Sequence, residues 1–168
     1  MRFSLLSLFS RKKSQAQSQT QFSKSSESSV SSQVQLPELS SSPKSMDWNN
    51  YPNFKASEFA CKHCGEVKMD VAFMDKLQTL RTRYGKSIII TSGYRCKSHP
   101  VEAKKATSGA HTKGKAADLA VNGQDAYKVL KIAFDLGFTG IGVNQKGQGR
   151  FIHLDTVEGA PRPNVWSY

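Results

Sequence analysis

Apolar residues recur at Val71, Met74, Leu77 and Leu80, close to helical spacing, with Asp70 before them and Gly85 after them. An acidic N-cap and a glycine stop frame the pattern, which predicts an amphipathic helix of about four turns. Ser87 to Thr91 (SIIIT) is a short β-branched run and predicts a buried strand. Lys115 to Val121 alternates: Ala117, Leu119 and Val121 fall on one face, Ala116, Asp118 and Ala120 on the other. A second helix is predicted from about Gln124 to Leu136, with Ala126, Val129, Leu130, Ala133 and Phe134 on its buried side and Gly137 ending it. Two short strands follow, Gly140–Val143 and Arg150–Thr156, joined by a glycine-rich turn, and Ser57-Glu58-Phe59 reads as a single helical turn. Helix, strands, helix and a hairpin with short connections imply an α+β domain: a small antiparallel sheet flanked by helices, not a doubly wound parallel sheet.

Composition divides the chain. Ser and Gln dominate residues 1–46, and nearly all β-branched and aromatic runs lie after Trp48. A Ser/Gln-rich segment buries too little apolar surface to offset the entropy of ordering, so 1–46 is expected to be a disordered tail and 47–168 the folded domain, acting as a monomer. Met1 to Phe9 carries one Arg and an apolar run broken by serines, with Arg11, Lys12 and Lys13 behind it. A secretory signal has its charge before a longer apolar stretch, so no clear export signal is present. Two readings remain for this end: an untranslocated tail, or a weak membrane-surface contact with Phe and Leu dipping in. The net charge of +11 favours polyanions, among them nucleic acid, acidic lipid and anionic cell-wall polymers. No aromatic-interleaved basic stripe or DNA-reading finger spacing is present, so no specific nucleic-acid partner is expected.

The chemistry gathers around two of the four histidines. His111 lies in a glycine-containing loop, Ser108 to Gly114, and Asp118 on the strand that the loop enters. In Phe151-Ile152-His153-Leu154-Asp155, His153 and Asp155 share one face of a strand. Two His and one carboxylate leave one corner of a zinc tetrahedron open, the pattern of a catalytic rather than a structural site. Spacing alone leaves this metal site and ordinary, ligand-free histidines both open.

Three separate motifs narrow the choice. Ser92-Gly93-Tyr94-Arg95, then Ser108-x-x-His111-x-x-Gly114-x-Ala116-x-Asp118, then Phe151-x-His153-x-Asp155, together resemble the zinc peptidases of family M15. That family includes D-alanyl-D-alanine carboxypeptidases and phage endolysins, and shares its fold with the hedgehog signalling domain. The opening Phe54-Lys55-Ala56-Ser57-Glu58-Phe59 and the closing Trp166 resemble its C-terminal-domain subgroup, and the likeness runs from about Asn53 to Tyr168. The resemblance implies zinc ligands His111, Asp118 and His153, a substrate-carboxylate anchor at Arg95, and a substrate-positioning role for Ser108. For Arg95 a structural salt bridge is the alternative; for Ser108, a bond to its own backbone. The family's proton acceptors are absent: Arg150 stands where some members have Glu, and Phe151 where others have His. Asp155 is the nearest carboxylate, and is expected either as the general base or as a partner steering a ligand.

Cys61, His63 and Cys64 form a CxxC with a histidine inside it, and Cys96 follows Arg95. Cys61, Cys64, Cys96 and His99 have the makings of a Cys3His structural zinc site; one disulfide or reduced thiols are the alternatives. His99 precedes Pro100 where the family often has Asn, and no family role carries over to it. The expectation is a zinc-dependent peptidase cutting amide bonds of peptidoglycan stem peptides or cross-links, phage-encoded or phage-derived and acting at the bacterial cell wall. The alternative is a non-catalytic wall-binding or virion-associated module on the same zinc fold.

Overall fold

Asp70 caps the first helix as its position predicts, its carboxylate accepting the Phe73 N–H at 2.9 Å. One of the donors that a helix start leaves unpaired is thereby satisfied. The helix, α1 (Val71–Tyr84), closes at Gly85, where φ is 76° and the backbone N–H donates to the Arg81 carbonyl. Its buried stripe is Phe73, Met74, Leu77 and Leu80; Val71, expected on it, is exposed, because Phe73 takes the inward position in the first turn.

The computed structural model describes residues 46–168. The tail expected over 1–46 falls almost wholly outside these residues, as does the surface-contact reading of its first residues. Single 3₁₀ turns at Trp48–Asn50 and Ala56–Phe59 precede α1, followed by β1 (Ile90–Ser92), β2 (Ala116–Leu119), α2 (Gly123–Asp135), β3 (Gly140–Asn144), β4 (Phe151–Asp155) and β5 (Asn164–Ser167). The five strands form one sheet in the order β1-β2-β4-β3-β5, antiparallel throughout except for the parallel pair β3 and β5. This is the α+β class that the pattern implied. Among the described residues no helix is long and apolar enough to cross a membrane.

Three expectations need correction. The β-branched run at Ser87–Thr91 is not a buried strand: β1 begins at Ile90, lies at the sheet edge, and leaves Ile89 68% exposed. Phe134 of α2 is 57% exposed, because the face that packs inward is Ala126, Val129 and Ala133, a narrower stripe than expected. β5 had not been anticipated as a strand at all.

Alternation on the strands separates core from site. Ala117 and Leu119 of β2, Ile141 of β3, and Ile152 and Leu154 of β4 join α1 and α2 in one core. Burying side chains of this size contributes about 1.5–3 kcal/mol each. The opposite face carries Asp118, His153 and Asp155. An aromatic group ahead of α1 closes the core, Phe54 meeting Phe59 edge-on at 5.6 Å between ring centroids. Glu58 rigidifies this segment by accepting the Lys55 N–H at 2.7 Å. Gly93 then lets the backbone of Phe59 lie against the chain leaving β1, where any side chain would collide with it, and the Tyr94 N–H donates to the Phe59 carbonyl at 2.9 Å.

Candidate metal centre

The register of the sheet sets the site. Ser92, Asp118, His153, Gly142 and Trp166 oppose one another in turn, a single row crossing all five strands. Asp118 and His153 are thus direct cross-strand neighbours, whose side chains stand a few ångströms apart in such a pairing. Gly142 leaves room for the Trp166 ring, which lies against His153 with centroids 5.2 Å apart.

His111 is delivered from the loop before β2. Its Nδ1 lies 2.7 Å from the Gly93 carbonyl, which can only accept, so the ring proton sits on Nδ1 and the Nε2 lone pair faces inward. His153 is held in the opposite sense. Its Nε2 lies 3.2 Å from Asp155 Oδ2, so that with a cation at the centre the proton stays on Nε2 and the Nδ1 lone pair turns inward. These two nitrogens meet at 3.2 Å, and Asp118 Oδ1 lies 2.9 Å from His153 Nδ1 and 3.4 Å from His111 Nε2. All three residues are buried.

Two lone pairs and a carboxylate oxygen converging at these distances repel one another unless a cation or a proton lies between them. Four ligands at about 2.0–2.1 Å in a tetrahedron stand about 3.3 Å from each other. The spacings of 2.9, 3.2 and 3.4 Å fit that figure, so the donor set suits a zinc ion. Protonation follows the same geometry. Burial alone would raise the Asp118 carboxyl, but the two imidazoles hold it well below the usual carboxylate range. Burial lowers the His111 pKa. For His153 burial pulls the same way, yet Asp118 and Asp155 outweigh it and the pKa rises.

A second layer fixes these groups. Arg95 Nη2 donates to Asp118 Oδ2 at 2.6 Å and its Nε to Ser92 Oγ at 2.8 Å, with Glu102 3.7 Å from Nη1. Arg95 thus makes a salt bridge to Asp118 through Nη2 alone, while Nη1 faces Glu102. Asp155 has no exposed surface, and Arg162 grips both of its oxygens at 3.1 and 2.6 Å. Its carboxylate touches the His153 nitrogen that points away from the other donors. That geometry favours the steering role for Asp155 over that of a base. Gly140, opposite Asp155, provides space that a side chain there would take from the carboxylate.

Ser108 stands apart from the donors, exposed at a cleft of about 280 Å³ shared with Lys97, Glu102, Lys105 and Thr112. Glu102 had escaped the sequence reading. It is buried, and Lys105 and Thr112 donate to it at 2.7 and 3.0 Å. Burial pushes its carboxyl up, and these donors pull it below its ordinary value. Arg162 was missed as well: an arginine between two prolines carries no local signal.

The three cysteines form a separate group, all free, with their sulfur atoms within 4.8 Å of one another. Burial pushes the Cys61 thiol up, but backbone N–H groups of Cys96, His63 and Cys64 bring it down to about 7. His63 Nδ1 lies 3.4 Å from Cys96 Sγ. His99, expected as the fourth ligand, accepts the Val101 N–H on Nδ1 at 3.2 Å.

A family model described as peptidase M15 matches residues 52–155, more than half of the chain and a span containing His111, Asp118 and His153. No curated protein matches the chain.

Proposed function

The chain belongs to the peptidase M15 family, and from that premise we propose that it is a zinc-dependent peptidase hydrolysing amide bonds in the stem peptides or cross-links of peptidoglycan, acting at the bacterial cell wall. The observation that carries the reading is the convergence of His111 Nε2, His153 Nδ1 and Asp118 Oδ1 at spacings suited to tetrahedral zinc. Zinc held there supplies Lewis acidity, polarising an amide carbonyl and activating water at neutral pH.

The protein's own contribution is orientation. The Gly93 carbonyl and the Asp155 carboxylate select the tautomers that turn one lone pair of each imidazole inward. Arg95 holds the outer oxygen of Asp118, leaving Oδ1 to face the histidines. Trp166 covers one side of His153, limiting water there. Lys97, Lys105 and Ser108 at the neighbouring cleft offer cationic and hydroxyl groups to an acidic stem peptide, a role for Ser108 in keeping with the family resemblance. The +11 net charge favours approach to an anionic wall.

One observation favours a second reading, a wall-binding module without turnover. Asp155, the carboxylate nearest to a general base in sequence, is sealed beneath Arg162. Mass spectrometry of purified peptidoglycan incubated with the zinc-loaded protein separates the two. New peptide termini that vanish with His111→Ala or a chelator support the peptidase, and their masses name the bond. Zinc-loaded protein that sediments with the wall yet releases nothing supports the binding module.

A further inference from the structure

We propose that Cys61, Cys64 and Cys96 hold a second zinc ion, structural rather than catalytic, with His63 supplying the fourth ligand. The three sulfurs lie within 4.8 Å of one another although Cys61 and Cys96 are 35 residues apart in sequence. A disulfide uses two of them and strands the third, whereas a tetrahedral thiolate site uses all three.

Several features prepare this place for a metal. Cys61 Sγ accepts the Cys96 N–H at 3.3 Å, and the N–H groups of His63 and Cys64 also turn towards it. Backbone N–H groups converging on a sulfur favour its thiolate, which is the form that binds metal. The turn carrying the pair is locked: the Cys61 N–H donates to Glu66 and the Gly65 N–H to Cys61, both at 2.8 Å. Three thiolates and one divalent ion leave a net charge of −1, and Lys62 and Lys97 adjoin the ligands in sequence.

For the fourth ligand, His63 is the histidine whose ring already meets one of the three sulfurs, although it stands outside the 4.8 Å group that they form. A nitrogen and a sulfur on one tetrahedral zinc stand about 3.6 Å apart, and His63 Nδ1 lies 3.4 Å from Cys96 Sγ. His99 accepts the Val101 N–H on Nδ1, so its proton sits on Nε2 and no lone pair remains for a metal. The consequence for the domain is a staple. It joins the segment ahead of α1 to the chain leaving β1, beside the bond from the Tyr94 N–H to Phe59, and fixes the backbone next to Arg95.

Cobalt(II) added to the reduced full-length protein tests this, because sulfur-to-cobalt charge-transfer absorption reports thiolate ligands alone and the His111 centre contains none. In His111→Ala, where the other centre no longer competes for the ion, the band is expected to be complete at one equivalent per chain, so the result stands apart from whether the peptidase reading holds. Cys64 is exposed, so Cys64→Ser should fold normally by circular dichroism while its band weakens by about a third and its cobalt affinity falls at least tenfold. His63→Ala should weaken cobalt binding about tenfold and His99→Ala should leave it unchanged. Absence of the band with cobalt in excess, or a Cys64→Ser protein binding as the native one does, overturns the site. A loss confined to His99→Ala overturns the assignment of His63.

Discussion

Arg162 places its guanidinium on both oxygens of a carboxylate that has no exposure of its own. Removing one partner of such a pair leaves a buried charge uncompensated, at a cost on the order of 3 kcal/mol. Arg162→Ala should therefore lower unfolding free energy by about that amount in urea titrations, and weaken zinc binding roughly 10- to 100-fold in chelator competition. Asp155→Asn discriminates between the two roles for that residue. Asn can still accept from His153 Nε2, so a positioning role predicts turnover within roughly tenfold of native, whereas loss of a general base costs about 10²–10⁴. A drop of the larger size in kcat would restore the base. The same carboxylates set the acid limit of stability. Burial opposes ionisation of Asp155 and Asp118, but their partners hold both below the usual range, so folded pKa values lie under unfolded ones. Their stabilisation is present above about pH 4 and is lost as pH falls through that value towards the folded pKa values. Thermal midpoints of the metal-free protein should decline below about pH 4, and less steeply in Asp155→Asn.

At the scale of elements, the row across the sheet does what no single strand does: it sets Asp118 beside His153 and Trp166 beyond Gly142. A methyl group at Gly142 would lie 2.7 Å from the Trp166 ring, so Gly142→Ala should cost about 1–3 kcal/mol and displace β5. Denaturant midpoints and Trp fluorescence check this. Both helices and the alternation of β2 were legible because each is a local period with caps or glycines at its ends. β1 was misplaced because a run of isoleucines carries no mark of where strand pairing begins, and burial there is decided by the sheet edge. β5 was hidden by Pro161 and Pro163 just before it, which read as loop. Its strand conformation comes from pairing with β3, a partner twenty-odd residues away.

For the molecule as a whole, the three donors were legible from two separated motifs, and several of their supports were not. Arg162, Glu102 and the Gly93 carbonyl act across distances that leave no period in the chain. Arg95 was found as a residue, but its partner Asp118 emerges only when β1 and β2 pair. The charge of +11 acts at this scale too. Exposed charges are screened over about 10 Å at 0.1 M salt, so wall sedimentation should weaken several-fold between roughly 0.05 and 0.5 M salt. Zinc at about a thousand times its dissociation constant stabilises a folded site by about 4 kcal/mol, and a chelator should remove that increment from the unfolding transition.

Of the two tryptophans, Trp48 packs against Phe59 and Trp166 against His153. Imidazolium quenches indole emission more strongly than neutral imidazole does, so the Trp166 ring is an optical gauge of the charge on its neighbour. In a Trp48→Phe background the remaining emission would brighten as zinc displaces the proton from His153. The occupancy of the centre could then be followed in real time without any added dye.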